Sequence, residues 1–362
     1  MSTDDLKVVD IMIRNAWYKA GFSEEFETEV LRREVICEKV LVFWRTAEGE
    51  VVAFDDRCCH KRMPISAGRF LEGGIVECPY HGLAFNSEGQ CVKIPSAPDA
   101  PIPKRARLLP YKVIEQDGVV WVWPGDAEKI GNIRPPATPE IVSPDWEHIT
   151  GELYIKGNSI LMIENALDIT HFYPLHGNTI GQSADSDIKF DMTTGETCGC
   201  DSVTVTRQVD NYPQSDDFAD LLTHKMADSH SIQTMVGPGI IIAGRTLWPA
   251  GGRTENKDPK TLKNYHFLTP IDRRSHKYTY VVNMPKGQMS GRDPKVRAVD
   301  RAKELLRVVF EEDIWAIEKQ QEMCELPDGD YREVLLKSDL PLAAGRKILD
   351  AMYRKEMHEH AV

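Results

Sequence analysis

Residues 58–82, CCHKRMPISAGRFLEGGIVECPYHG, carry two mixed pairs, Cys58-x-His60 and Cys78-x-x-His81. A zinc finger usually places its cysteines at one end and its histidines at the other. Here each short loop carries one thiolate and one imidazole. One tetrahedral zinc can use such a set. So can a [2Fe–2S] cluster in which one iron takes both thiolates and the other both imidazoles. Two loops facing each other across a cluster each need one ligand of each kind, and the alternation Cys, His, Cys, His supplies that. Small Gly82 suits a cluster approached closely by backbone, and Pro64 and Pro79 stiffen the loops. The cluster explains the alternation; a structural zinc is the bland alternative.

Strand signals flank this stretch on both sides. KVLVFWRTAEGEVVAFDD (39–56) predicts a hairpin turning at Glu48 and Gly49. YKVIEQDGVVWVWPGD (111–126) predicts another, turning at Asp117-Gly118. The expected first domain, 1–130, is therefore all-β with a metal site at its loop tips. In IRPPATPEIVSPDW (133–146), four prolines resist helix and interior strand, which suggests a linker into a second domain at 131–362.

That second domain mixes signals. SILMIENALDITHFY (159–173) reads as a helix ended or distorted by Pro174 and Gly177. SVTVTRQV (202–209), GIIIAGRTLW (239–248) and YTYVVNM (278–284) read as strands, and residues 297–323 give the longest helical pattern. The expected fold class is α+β: an N-terminal all-β domain, then an α+β domain with an antiparallel sheet and a long C-terminal helix.

Composition excludes several function classes. At 362 residues, 41% hydrophobic and 28% charged, the chain can bury a substantial core. A net charge of −12 argues against a nucleic-acid partner, which demands a basic face. The acidic start, MSTDDLKVVD, lacks a signal-peptide pattern, and the strongest apolar run, GPGIIIAG, is strand-sized, so no membrane span is expected. Eight cysteines without a secretory signal point to a reducing cytoplasm and to metal rather than disulfides.

A second metal site is suggested by NALDITHFYPLHGN (165–178), with Asn165, Asp168, His171 and His176. Two histidines five apart leave one face of a regular helix, but they converge if the helix breaks between them. A mononuclear non-haem iron wants two histidines and a carboxylate on one side. In the long helix, Ala302, Leu306, Val309, Ala316 and Ile317 form an apolar stripe, and Asp313 falls on it. A carboxylate facing a core is expensive unless paired or metal-bound, so Asp313 is the expected third ligand, with pairing to a buried base as the competing reading. Glu311, Glu312 and Glu318 are expected to be solvated. Asp168, one turn before His171, suits an acceptor for a metal-bound imidazole.

Together these residues resemble the Rieske-type non-haem iron oxygenases over essentially the whole chain. NAWYKAG (15–21), both cluster loops, VWVWPGD (120–126), the Asn165–His176 segment and FEEDIWAIEKQQ (310–321) carry the likeness. With LLKSDLPLAAGRKILDAMYRKE (335–356), they are most similar to vanillate O-demethylase and related aromatic-acid monooxygenases. Respiratory Rieske proteins carry an extra cysteine in each loop; Met63 and Tyr80 stand at those positions, so no such disulfide is expected, and Cys59 is read as a packed thiol.

The resemblance implies that Cys58 and Cys78 hold one cluster iron and His60 and His81 the other. It implies that His171, His176 and Asp313 bind a catalytic Fe(II). Asp168, grouped with Asn165 as catalytic, resembles an acid linking that site to a cluster histidine of a neighbouring subunit in a homotrimer. The implied activity is that of a terminal oxygenase using O2 to hydroxylate or O-demethylate an aromatic, acidic substrate. Its alternatives are a ring dihydroxylase, an electron-transfer protein or a zinc-binding interaction module.

With no G-x-G-x-x-G after a strand and no flavin signature, electrons are expected from a separate NAD(P)H-dependent reductase or a ferredoxin. Lys61, Arg62 and Arg69 either help dock an acidic redox partner or pair with local acids. His224, His230, Arg245 and Trp248 are candidates for orienting an anionic ring, Arg245 foremost.

Overall fold

Glycine-bearing turns between short apolar runs fold residues Arg14–Pro135 into one β-rich unit of this computed structural model. The structure describes residues 8–168, 170–177, 179–180, 189–214, 225–290, 295–327 and 333–359. The unit's strands are β1 (Tyr18–Phe22), β2 (Arg32–Ile36), β3 (Lys39–Arg45), β4 (Val51–Asp55) and β5 (Arg69–Leu71). They continue as β6 (Ile75–Glu77), β7 (Ala84–Phe85), β8 (Cys91–Lys93), β9 (Pro110–Gln116) and β10 (Val119–Trp123). β9 and β10 meet through Asp117 and Gly118 at φ 51° and 77°, the doubly positive turn that matches strand twist.

A six-stranded sheet runs β1-β10-β9-β4-β3-β2 and a four-stranded one runs β5-β6-β7-β8, all neighbours antiparallel. Val42, Trp44 and Phe54 of the larger sheet pack with Val76 and Phe85 of the smaller. Trp44 stacks on Phe54 at a ring-centroid distance of 4.9 Å. Burying side chains of this size stabilises the unit by about 1.5–3 kcal/mol each. Cys58 and Cys78 belong to the same apolar cluster, so both cysteine loops are anchored in the core.

The second unit comprises Pro136–Val362 with the N-terminal residues through Ile13. Its antiparallel sheet contains β11 (Trp146–Ile155), β12 (Asp191–Thr197), β13 (Cys200–Pro213), β14 (Met226–Val236), β15 (Ile240–Pro249), β16 (Lys260–Asp272) and β17 (Ser275–Pro285). The order is β11-β17-β16-β15-β14-β13-β12, a meander closed at one edge by β11. The helices are α1 (Ser159–Leu167), α2 (Phe172–His176), α3 (Ala298–Cys324) and α4 (Leu340–Glu359). Ala298, Val299 and Ala302 of α3 pack on Leu247, Leu262 and Val282 of the sheet. Among the described residues, no helix is long and apolar enough to cross a membrane.

Asn158 joins three parts of this unit. Its Oδ1 caps α1 by accepting from Ile160 N–H at 2.9 Å. Its Nδ2 donates to the carbonyls of Val9, Ile11 and Arg273 at 3.2, 2.9 and 3.0 Å. Its own N–H donates to Gln321 Oε1 of α3 at 2.9 Å. These bonds satisfy backbone carbonyls of the N-terminal segment, which places that segment with the second unit.

The helix expected to end near Pro174 stops earlier. α1 ends at Leu167, and Asp168 is extended at φ −78° and ψ 130°. Thr170 N–H and Oγ1 both bond Asp168 Oδ1, at 2.6 and 2.7 Å, and this side-chain-to-backbone competitor fixes the break. Pro174 lies in the first turn of α2, where a missing N–H costs nothing.

Candidate metal centres

The two mixed loops of the first unit share one backbone design. Cys58 N–H donates to Met63 O and Cys78 N–H to Leu83 O, each at 2.8 Å. Arg62 N–H donates to Cys58 O at 3.0 Å, and Gly82 N–H to Cys78 O at 3.1 Å. Four residues after each cysteine the backbone turns left-handed, at φ 60° for Arg62 and 70° for Gly82. The left-handed turn favours glycine at 82, and a Cβ there would also meet Pro95 Cγ at 2.9 Å.

Polarity separates the four donors. Cys58 and Cys78 are 2% and 1% exposed, whereas His60 and His81 are exposed with ring centroids 4.5 Å apart. Burial, with smaller contributions from Cys78, pushes the Cys58 thiol up to about 12. A thiolate in that position needs a bound cation, which a cluster iron supplies. Two thiols inward and two imidazoles outward fit a cluster with one iron on each side. Cys59, expected to be packed, is exposed.

In the second unit, the break after α1 brings His171 and His176 to Asp313 of α3. His171 Nε2 lies 3.7 Å and His176 Nε2 3.2 Å from Asp313 Oδ1. The three ligand atoms lie within 4.8 Å of one another, with His176 and Asp313 buried. Asn165 Nδ2 donates to Asp313 Oδ1 at 3.0 Å and orients that carboxylate.

Each imidazole has a carboxylate behind it. Glu312 Oε2 lies 2.8 Å from His176 Nδ1 and also accepts from Thr179 Oγ1 at 2.8 Å. Asp168 Oδ2 lies 3.6 Å from His171 Nδ1, just beyond hydrogen-bond length. Burial pushes the Asp168 carboxyl up, but the His171 ring and the Thr170 donors more than offset this and hold it below its ordinary value. With both Nδ1 atoms turned toward carboxylates, both Nε2 atoms face the same space. Two imidazoles and one carboxylate on one side fit a single ferrous ion with open positions opposite.

The expectation that Glu312 is solvated is therefore wrong: it is partly buried against His176. Glu318 Oε1 accepts from Lys156 N–H at 3.1 Å, and Glu311 pairs with Arg307.

The triad opens into a cavity of about 170 Å³. An apolar cavity of about 150 Å³ holds a benzene ring, so this one matches a single substituted ring. Met284, Leu306, Val309 and Phe310 supply an apolar wall; Arg207, Ser231, Arg245 and Asn264 supply a polar one. His266, also on the wall, has Nδ1 2.7 Å from Tyr278 OH, and burial pushes its pKa down to about 4, so the ring is neutral.

Residues 155–355 match the vanillate O-demethylase oxygenase C-terminal domain, and residues 16–110 match the Rieske [2Fe-2S] domain. The chain belongs to the vanillate O-demethylase oxygenase family. The toluene-4-sulfonate monooxygenase system iron-sulfur subunit of Comamonas testosteroni is 29% identical to this oxygenase over 96% of the chain and 98% of its own length. A second subunit assigned to that system in the same organism is 30% identical over the same shares. The vanillate O-demethylase oxygenase subunit of a Pseudomonas species is 35% identical over 47% of this chain and 46% of its own. Dicamba monooxygenase bound to 3,6-dichlorosalicylic acid superposes with a TM-score of 0.84 over 96% of this chain and 99% of its own, at 23% identity, which shows a shared fold.

This oxygenase is thus a Rieske oxygenase component, a class of oxidoreductase that incorporates O2 and takes electrons from a separate reductase or ferredoxin. Its sheet decides which expected substrate residues reach the cavity. Ile241, Ala243 and Arg245 of β15 line it; Trp248 has the opposite parity, lies outside it and donates Nε1–H to Asn256 Oδ1 at 2.8 Å. Ser229, Ser231 and Gln233 of β14 line it and His230 does not. His224 lies outside the described residues. Arg207, Asn264 and His266 escaped the sequence reading, although the strand alternation that includes Arg207 was visible in SVTVTRQV.

Proposed function

We propose that this oxygenase oxidises a methyl or methoxy substituent of an aromatic acid at a mononuclear iron held by His171, His176 and Asp313. The observation that carries the reading is the convergence of those three residues beside a cavity sized for one ring. An iron bound there supplies oxygen activation, and the cluster held by Cys58, His60, Cys78 and His81 supplies electrons. The chain's own residues do the positioning. Asn165 holds the Asp313 carboxylate, Glu312 fixes the His176 ring, and Asp168 stands behind His171. The apolar wall keeps water from the reacting carbon, and Arg245 holds the acid group. Hydroxylation of a methoxy carbon gives a hemiacetal that collapses to a phenol and formaldehyde; hydroxylation of a methyl gives an alcohol.

The relatives supply the candidate substrate class, since they act on toluene-4-sulfonate and vanillate by name. Lys61 and Arg62, exposed on the first cluster loop, suit an acidic redox partner. Arg69 is paired with Glu77 at 2.7 Å and contributes less. A head-to-tail homotrimer would present the cluster of one protomer to the iron of the next.

Asp313→Ala tests the reading. The variant should hold the cluster's two irons and lose the third, keep the cluster's visible spectrum, and take up no oxygen with a surrogate reductase. Retention of all three irons with oxygen uptake intact would reject the assignment. A substrate panel of 4-toluenesulfonate, 4-methylbenzoate, vanillate and dicamba, scored by oxygen uptake and formaldehyde release, identifies the reaction.

A further inference from the structure

Strand register places two arginines on either side of one serine. Arg207 of β13 pairs with Ser231 of β14, and Ser231 pairs with Arg245 of β15. All three line the cavity. Adjacent strands are about 4.8 Å apart, so the two arginine Cα atoms stand about 10 Å apart with only a hydroxymethyl group between them. Two long side chains on the same sheet face can lean together over that small residue.

Local contacts steer both guanidiniums. Arg245 Nε donates to Ser229 Oγ and Nη2 to Gln214 Oε1, each at 3.2 Å. The Arg207 guanidinium lies over the Tyr212 ring, 5.5 Å from its centroid. Desolvation first, and then the nearby Arg207 charge, lower the Arg245 pKa to about 10. Desolvation also lowers the pKa of Arg207. An anion between them would relieve both costs.

Distance along the sheet sets the other end. Ile241 precedes Arg245 by four residues, about 13 Å of strand, and pairs with His266. The His266 ring sits edge-to-face on Phe310, 6.5 Å between centroids, one helical turn before Asp313. The arginine row and the metal-facing row are therefore about one substituted ring apart once the arginine side chains reach inward.

We infer that Arg207 and Arg245 together grip the oxyanion of an aromatic substrate above Ser231, aiming the substituent across the ring at the His171–His176–Asp313 site. The inference rests on the functional reading above and adds Arg207 as a specificity-determining residue. The shared ligand chemistry is an aryl oxyanion, either sulfonate or carboxylate. A sulfonate offers three oxygens to two guanidinium forks, a carboxylate two.

The test compares 4-toluenesulfonate and 4-methylbenzoate with their neutral amides, using the fully iron-loaded oxygenase. Calorimetry gives affinity, and steady-state kinetics give KM and kcat separately. In the wild type, at least one acid should bind tenfold or more tighter than its amide, and the tighter acid names the oxyanion. Arg207→Gln should raise Kd and KM for that acid tenfold or more while changing those for the amide far less. Arg207→Lys should recover part of the loss. Unchanged melting temperature and iron content would show that the variant folds. Equal loss for acid and amide, or no preference for the acid in the wild type, overturns the arginine assignment alone. Failure of any aromatic to bind or turn over overturns the functional reading with it.

Discussion

Glu312 Oε2 lies 2.8 Å from Nδ1 of His176, while Asp313 Oδ1, from the next residue of α3, lies 3.2 Å from Nε2 of the same ring. Successive residues of one helix thus hold both nitrogens of one imidazole. The ring can neither flip nor turn its Nε2 lone pair away from the triad. Asp168 stands behind His171 in the corresponding way at 3.6 Å.

Glu312→Ala should therefore weaken iron binding at the second site by about 10–100-fold without touching the cluster. Chelator competition followed by iron analysis measures it. An unchanged third iron would mean that Glu312 only solvates the helix.

Charge reversal of Lys61 and Arg62 should slow cluster reduction by an acidic reductase by roughly tenfold at low ionic strength. Both side chains are exposed. Stopped-flow reduction at increasing salt should show the two proteins converging. Identical rates at low salt would remove the docking role.

Stability should decline in mild acid, and His276 contributes to the decline. The ring is buried, with Nδ1 2.7 Å from Gly157 O, and burial pushes its pKa from 6.5 down to about 4. Between those values the unfolded chain binds a proton that the folded ring refuses. Stability is therefore lost as pH falls from about 6.5 to about 4, by up to about 3 kcal/mol for this ring. Urea unfolding across that window should show a shallower loss in His276→Gln than in the wild type. Parallel curves would mean that the ring titrates normally.

Glu164→Gln should destabilise the second unit by about 2 kcal/mol, discounting for the partial exposure of its partner. Arg346 of α4 forks onto both Glu164 oxygens, at 2.6 and 2.8 Å, and fastens that helix to α1. Denaturant melts followed by helical signal would detect the loss.

Much of this was legible in the chain because the relevant signals are local. The alternation of Cys58, His60, Cys78 and His81 encodes two facing loops, and Asp117-Gly118 encodes its turn directly. Asp313 was legible because a carboxylate on an apolar stripe is costly. Glu312 was not, since its exposure depends on where His176 lands, and that depends on Thr170 closing the turn at Asp168. Sheet parity separated Arg245 from Trp248 and His230, but parity needs the strand register, which no local pattern contains. Arg207 needed two registers at once.

Arg62 occupies the left-handed backbone position that its twin loop fills with Gly82. A residue with a Cβ in that conformation costs about 1 kcal/mol relative to glycine. The first loop therefore gives up robustness to keep an exposed guanidinium near its tip. A glycine at 62 should make a sturdier loop that is less readily found by whatever delivers its electrons.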